Sequence, residues 1–447
     1  MIDTGTLAKA LGEYLPRQRW FGGSPSEHAD VAVSSVRRLR DEGWPALLQV
    51  LVEARVGEAG RGEVATYQMV VGLRPADSRD AFLEGKPEAI ICELESDLGP
   101  ALAYDAAIDP ELAVALLGVV APDEVVERAR YLGADQSNTS VVFDERLIMK
   151  LFRRLAAGPN PDAEVTRALV GAGFTNVAEP VAEWRGDHGD YAVVNQFLVG
   201  GTDGFSLALA SLRDLYDRRC QPGDAGGDFA PAVGRLGSIT AEMHLALARA
   251  FGAFPGEPHA WADDMAAHLE RVGLPGIDPE RVRALYGRLR SVADPGPSIR
   301  VHGDYHLSQV MRSDAGWFVL DFEGEPDRPL EERRRPSSPL RDVAGMVRSL
   351  HYAPQVALRE WGLEPDAELL ALADAWEHRN RVAFVAGYLG AEGVAAVLPG
   401  ADADRRLVQA AFELDKAVYE VGYEQSHRPD WVDIPLSAIH RILETTL

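Results

Sequence analysis

Apolar residues recur at helical spacing from Thr6 to Leu15 and then alternate in three stretches, Val31 to Val36, Leu47 to Val56 and Val64 to Val71. That pattern predicts an amphipathic helix followed by an antiparallel sheet. Residues 76–130 read as acidic loops with short helices, among them Glu111 to Val120, stopped by Pro122. From Ala134 the polar run ADQSNTS leads into a strand at Val141 to Phe143, a turn at Asp144 to Arg146 and a strand at Leu147 to Phe152, a hairpin that carries Lys150. A helix opens at Asp162 with acidic residues in its first turn, where the helix dipole favours them, and it carries Glu164. A strand at Tyr191 to Val199 ends on Gly200-Gly201, a pair that reads as a hinge or a simple loop. Helical periodicity dominates the remainder, clearest over Leu236 to Ala250 and Glu368 to Tyr388. One short hairpin interrupts it, pairing Ile299 to Val301 with Trp317 to Phe322. The prediction is an α+β protein with an N-terminal cap over 1–90, an intermediate segment and small mixed lobe over 91–200, and a mainly helical lobe over 201–447.

Charge and cysteine content narrow the function. Forty-five Lys and Arg stand against sixty-nine Asp and Glu, a formal net charge of −24. Such a surface repels phosphate backbones, so no nucleic-acid partner is expected. The two cysteines, Cys92 and Cys220, have no C-x-x-C spacing, which argues against a thiolate metal site and a disulfide framework. No apolar run approaches the roughly 18 residues of a membrane span. The opening MIDTGTLAKALGEYLPRQRW lacks an apolar signal core, so the expectation is a cytoplasmic protein with no membrane partner, monomeric by default.

The chemistry concentrates in VHGDYHLSQVMRSDAGWFVLDFEGEP, residues 301–326. A His-Gly-Asp turn leaves an apolar strand, Gln309 follows five residues after Asp304, and a second strand delivers Asp321 and Glu323 two apart, hence on one face. Two carboxylates about 4 Å apart repel by roughly 4 kcal/mol at an effective dielectric near 20, so the cluster calls for a hard cation, best Mg²⁺ with a substrate phosphate. Phosphoryl transfer to a hydroxyl needs positioning, charge neutralisation and a proton acceptor. Asp304 suits the acceptor, Gln309 and Asp321 the metal, and Glu323 a second ion or a metal-bound water. Lys150 would steady the α and β phosphates of ATP, oriented by Glu164. Singly, each residue has a plainer reading: a strand lysine often snorkels at an edge, His302 can be structural, and Asp321 can belong to a turn. In the order Lys, Glu, hinge, Asp, Gln, Asp they follow the logic of protein kinases.

HGDYHLSQV and DFEGEP resemble the catalytic and metal loops of the aminoglycoside phosphotransferase superfamily of eukaryotic-kinase-like small-molecule kinases. PRQRWFGG at 16–23, DQSNTS at 135–140, RPLEERRRPSSPLRDVAGMVRS at 328–349 and ELDKAVYEVGYEQSHRPDWVDIPL at 413–436 are similar to actinobacterial maltokinases and the related glucosamine kinases. The resemblance covers nearly the whole chain. It implies a bilobal kinase-like fold with an N-terminal cap, ATP and Mg²⁺ as cofactors, and a sugar acceptor held by the helical lobe. Gln136, Ser137 and Ser140 stand where protein kinases carry a Gly-rich loop and would sit over the phosphates. Gln309 replaces the more frequent Asn, and Asp342 would support the catalytic loop by hydrogen bonding or cap a helix.

For the acceptor, the helix from Phe412 to Gln425 places Lys416, Tyr419, Glu420, Tyr423 and Glu424 on one polar and aromatic face, with Asp430 and Trp431 just beyond; a solvated helix face has the same pattern. His306, two residues after Asp304, is placed to touch the same ligand. The sugar contacts expected are therefore Asp304, His306, Lys416, Tyr419, Glu420, Glu424, Gln425, Asp430 and Trp431. The maltokinase pattern has HGDLHLGQ and a Gly before the tryptophan. Here Tyr305, Ser308 and Asp430 stand instead, which points to a smaller, cationic acceptor: glucosamine phosphorylated at its 6-hydroxyl, with maltose phosphorylated at its 1-hydroxyl as the alternative. A pseudokinase-like binding module is the reading from another class, and aminoglycoside inactivation a further one.

Overall fold

In the computed structural model, which describes residues 2–21, 29–40, 43–56, 63–78, 80–134, 138–325 and 328–446, the chain divides into two units. One comprises Met1–Glu164 with Ala178–Val199, the other Val165–Val177 with Gly200–Leu447.

The first unit begins with α1, Thr4–Tyr14, whose free N–H groups at Gly5 and Thr6 are taken by the Asp3 carboxylate at 2.9 and 3.1 Å. Strands β1 (Asp30–Arg40), β2 (Ala46–Val56), β3 (Glu63–Pro75), β4 (Ile90–Ser96) and β5 (Gly99–Asp105) form an antiparallel sheet in the order β1-β2-β3-β5-β4. Helix α2, Pro110–Val120, starts on Asp109. β2 is apolar almost throughout because both of its faces are covered. Leu48, Val50 and Val52 share a core with Leu7 and Leu11 of α1, while Leu47 and Leu51 share one with Leu112 and Leu116 of α2. Burying the two leucines of α1 is worth roughly 3–6 kcal/mol, which is what holds so short a helix. The expectation for residues 76–130 is corrected here: β4 and β5 lie within it. Their alternation is obscured by Cys92, Pro100 and glutamates on a half-exposed edge.

A second sheet has the order β10-β11-β8-β7-β6, built from β6 (Ala129–Ala134), β7 (Asn138–Phe143), β8 (Leu147–Phe152), β10 (Pro180–Gly186) and β11 (Gly189–Gln196); the two-residue β9, Arg154–Leu155, pairs with β3. Between β9 and β10 runs α3, Pro161–Gly171. The predicted hairpin is the β7-β8 pair, with Ser140 directly opposite Lys150.

The second unit is mainly helical: α4 (Gly204–Arg218), α5 (Ala230–Phe251), α6 (Pro258–Arg271), α7 (Pro279–Arg288), the short α8 (Leu330–Arg333), α9 (Leu340–Glu360), α10 (Ala367–Leu389), α11 (Asp402–His427) and α12 (Asp433–Thr446). Helices α5 and α10 approach closely because Gly234, Gly237 and Gly387 lie at their crossing, where a Cβ on Gly237 or Gly387 would collide with backbone carbonyls. The short strands are β12 (Thr202–Asp203), β13 (Ala253–Pro255), β14 (Pro297–Ile299), β15 (Val310–Ser313) and β16 (Gly316–Val319). The predicted pairing of Ile299–Val301 with Trp317–Phe322 does not form. Instead β14 pairs with β13, and β16 turns back on β15, a nearer partner with less chain to close.

Candidate active site

Residues 300–325 of the second unit hold most of the expected chemistry, and helix α9 sets their geometry. Asp342, wholly buried in the first turn of α9, accepts the backbone N–H of His302 at 2.7 Å and of Gly303 at 2.9 Å. It is not the helix cap, which is Pro339; its role is to grip the loop before Asp304. Gly345, one turn on, lacks the Cβ that would lie 2.6 Å from the carbonyl of Tyr305, so the loop can rest on the helix. Behind Asp342 stands His244 of α5, with Nε2 at 3.0 Å from its Oδ2 and Nδ1 at 2.8 Å from the Tyr388 hydroxyl of α10. Asp342 and Tyr388 thus occupy both ring nitrogens of His244. Burial pushes the Asp342 carboxyl upward, but His244 and the Gly303 amide outweigh it and hold it below the usual range. His302 is structural: Nε2 donates to the carbonyl of Leu320 at 2.8 Å, joining the loop that carries Asp304 to the segment that carries Asp321.

Asp321 and Glu323 lie past the end of β16, so strand alternation does not bring them together as expected. The chain turns instead through Asp321 itself, in the left-handed region at φ +61. Such a conformation disfavours a non-glycine residue, and here it folds the chain sharply enough that Asp321 and Glu323 present carboxylate oxygens within 4.8 Å of each other. Gln309 joins them. Its carbonyl accepts the Leu320 amide at 2.9 Å, and its side-chain amide lies 3.4 Å from Asp321 Oδ2. The two carboxylates are hard oxygen donors of the kind that suits Mg²⁺, while the Gln309 side chain turns its N–H group, not its oxygen, toward Asp321.

Asp304 lies in a pocket lined also by Gly303, Glu325, Arg341, Asp415, Lys416 and Tyr419. Lys416 donates to Asp304 Oδ1 at 3.0 Å and to Glu325 Oε1 at 2.8 Å, with its ammonium 4.5 Å from the centre of the Tyr419 ring. His306 Nε2 stands 3.6 Å from Asp304 Oδ2. Burial pushes Asp304 upward, yet Lys416 and His306 outweigh it and hold the carboxyl well below the ordinary value. Glu325 behaves alike: burial raises it, Lys416, Arg341 and Arg328 lower it more, and it comes down to about 2. Asp415 accepts from His268 Nδ1 at 2.9 Å.

The remaining expected sugar contacts, further along α11 and just beyond it, do not line this pocket. Glu420 pairs with the buried Arg348 of α9 at 2.6 Å. Glu424, 2% exposed, accepts from Tyr352 and from Arg428. Gln425 donates to the carbonyl of Gly273 at 2.9 Å, Asp430 is exposed, and Trp431 lies under the Arg428 guanidinium at 4.3 Å. Tyr305 was expected to narrow the acceptor space, but its ring is buried and its hydroxyl pairs with Thr240 in the core.

In the first unit, Lys150 sits on β8, the middle strand of five, and so is not an edge residue. It shares a sheet face with Ser140, and its ammonium lies 3.3 Å from Asp162 Oδ2 at the start of α3. Glu164 lies two residues along the same helix, half-buried. Gln136 and Ser137 lie outside the described residues. Sequence reading did not single out Glu325, Asp415 or His244, nor Asp162 as a partner for Lys150. Glu325 had a signal, since it stands two residues after Glu323 in the motif; His244 had none, being one histidine on a long helix.

Residues 14–109 match the maltokinase N-terminal cap domain, and residues 128–360 match the phosphotransferase enzyme family. The chain belongs to the phosphotransferase enzyme family, with a cap of the maltokinase type. A glucosamine kinase of Mycolicibacterium smegmatis is 30% identical over 337 residues, 70% of this chain and 79% of that protein. A glucosamine kinase of Streptacidiphilus jiangxiensis is 31% identical over 323 residues, 67% of this chain and 70% of that protein. A solved glucosamine kinase in complex with glucosamine, ADP and inorganic phosphate has the same fold, with a TM-score of 0.65 at 23% identity, covering 98% of each chain. The kinase-like α+β fold with an N-terminal cap is thus the family's, as the motifs implied.

Proposed function

We propose that the protein is an ATP-dependent sugar kinase that transfers the γ-phosphoryl group to the 6-hydroxyl of D-glucosamine. The observation that carries this reading is the Asp304 pocket, rich in carboxylates, in a chain whose two relatives described above are both glucosamine kinases. Asp304 accepts the proton of the attacking hydroxyl. An ionised carboxylate of low proton affinity suits a loose transition state, in which the hydroxyl proton leaves late. Asp342 holds the loop, so the base is aimed before substrate arrives. Lys150 and Ser140 would meet the nucleotide phosphates with Gln136 and Ser137, Glu164 supporting the lysine from α3. Gln309, Asp321 and Glu323 would hold Mg²⁺, which when bound neutralises phosphate charge.

The acceptor ammonium would meet the carboxylate of Asp415, which pairs with the His268 imidazole rather than with a guanidinium; Arg328 stands off at 3.9 Å. His306 and Tyr419, which stand beside Asp304, remain the sugar-facing candidates, whereas Trp431 lies under Arg428 and does not line that pocket. Among the described residues no helix is long and apolar enough to cross a membrane. Dependence on ATP fits the cytoplasmic expectation, and a monomer remains the default.

An acceptor screen with Mg²⁺ and ATP tests the reading. Glucosamine should exceed maltose and N-acetylglucosamine in kcat/KM by at least about tenfold, some 1.4 kcal/mol of transition-state discrimination. Maltose ranking first would establish the maltokinase alternative. Absence of turnover with every sugar, beside intact nucleotide binding, would favour the binding module.

A further inference from the structure

Lys416 was expected to bind the sugar, and the geometry around it points elsewhere. Its ammonium has three N–H donors. One meets Asp304 Oδ1 at 3.0 Å, another Glu325 Oε1 at 2.8 Å, and the charge lies over the Tyr419 ring with 4.5 Å to its centre. Two of the three donors are thus committed to carboxylates, and the charge is shared with the ring. Glu325 is itself oriented, because its second oxygen accepts from Arg328 and from Arg341 at 3.0 Å, turning Oε1 toward Lys416. Charges therefore alternate from Arg328 and Arg341 through Glu325 and Lys416 to Asp304. At the end of this series Asp304 has one oxygen fixed. The other, Oδ2, has His306 at 3.6 Å, beyond hydrogen-bond reach, and is the oxygen open to a hydroxyl.

We propose that Lys416 is a positioning residue for Asp304, fixing one carboxylate oxygen so that the other faces the acceptor hydroxyl, and that Glu325 holds Lys416 in place. The inference rests on Asp304 being the base of the proposed kinase. Without the ammonium, the half-buried Asp304 and the buried Glu325 would have no cation between them, and the base could rotate about its last bond. Burial and the opposing carboxylates act on Lys416 in opposite senses; the carboxylates prevail and raise it, so it stays charged throughout the working range.

The test is a double-mutant cycle read in kcat and KM with Mg²⁺-ATP and the best acceptor. Lys416→Met should lower kcat by on the order of 10²-fold, the loss that follows misplacement of a reacting group, while KM for the acceptor and for ATP changes less than about threefold. In an Asp304→Asn background the same substitution should lower kcat by less than about threefold further, because its target is already gone. Lys416→Arg should recover at least about tenfold of the lost kcat, since a guanidinium can still bridge both carboxylates. If Lys416→Met does not fold, Glu325→Gln is read in the same way, with a smaller loss of kcat and unchanged KM. A rise in acceptor KM with kcat preserved, or losses that simply multiply in the double variant, would overturn the proposal and restore Lys416 as a sugar ligand. A wild-type protein inactive on every acceptor would instead overturn the kinase reading beneath it.

Discussion

Two stretches, one at each end of the C-terminal half of helix α11, carry similar residues in opposite roles. Near Lys416 and Tyr419, polar and aromatic side chains line the pocket of Asp304. One to two turns on, Glu420 and Glu424 are equally regular in spacing, yet Arg348, Tyr352 and Arg428 occupy them, and Glu377 beneath α9 is bound by His351 and Arg441 at 2.8 Å. The same pattern on one helix face makes a site where the facing surface is a catalytic loop and an ion-pair core where it is another helix. Removing a charge should therefore affect rate at one end and stability at the other.

The largest effect belongs to Asp304→Asn. A general base contributes roughly 10² to 10⁴ in rate, and kcat should fall by that much with acceptor KM within about threefold. Retention of more than a tenth of wild-type kcat would sink its assignment as base. At the other end, Arg348→Met leaves Glu420 without its buried cation, and chemical denaturation should register a loss of about 3–5 kcal/mol. Measured on the folded fraction, kcat should change less than twofold; a large fall in kcat with unchanged stability would mean that both stretches of α11 serve the site.

Asp342→Ala lies between these extremes. It frees the amides of His302 and Gly303, so kcat should drop about 10²-fold from displacement of Asp304, and the buried amides and His244 would lose about 1–3 kcal/mol of stability. A variant slowed without being destabilised would show that Asp342 acts on the chemistry and not on the loop.

Acid should separate the regions more gently. Asp342 and Glu377 both have carboxyls lowered in the folded protein, because burial is outweighed by His244 for the first and by His351 and Arg441 for the second. A lowered carboxyl contributes stability that is complete above its ordinary value, about 4, and is lost as pH falls through the folded value. Burial also lowers His351, so its contribution is likewise present above about 6.5 and lost as it becomes protonated below. Tm should thus change little between pH 8 and 6, then decline, most steeply below pH 4. Glu377→Gln should flatten that decline; an unchanged acid slope would remove Glu377 as its source. The smallest effect is expected from Gln425→Ala, which breaks one exposed hydrogen bond to Gly273: within about 0.5 kcal/mol in stability and twofold in acceptor KM.

Much of this was readable in the chain itself. The cap helix, strands β1 to β3 and the hairpin with Lys150 follow from local periodicity, because each side chain's neighbours along the chain are its neighbours in space. Strands β4 and β5 escaped notice because β4 is an edge facing water and β5 is buried along most of its length, so neither alternates cleanly. The pairing of β15 with β16 was mistaken for a longer-range one, although the nearer partner closes a smaller loop.

The order of residues determined the reaction class: Asp304, a carboxamide and two further carboxylates within two dozen positions name phosphoryl transfer before any coordinate is known. Tertiary structure alone decided which charges remain for chemistry. Electrostatic partners come from α5, α9 and α10, tens of residues away, and a carboxylate's function depends on which cation folding brings to it. Glu424 and Glu325 look alike as letters; one is fastened to Tyr352 and Arg428, the other to the lysine beside Asp304.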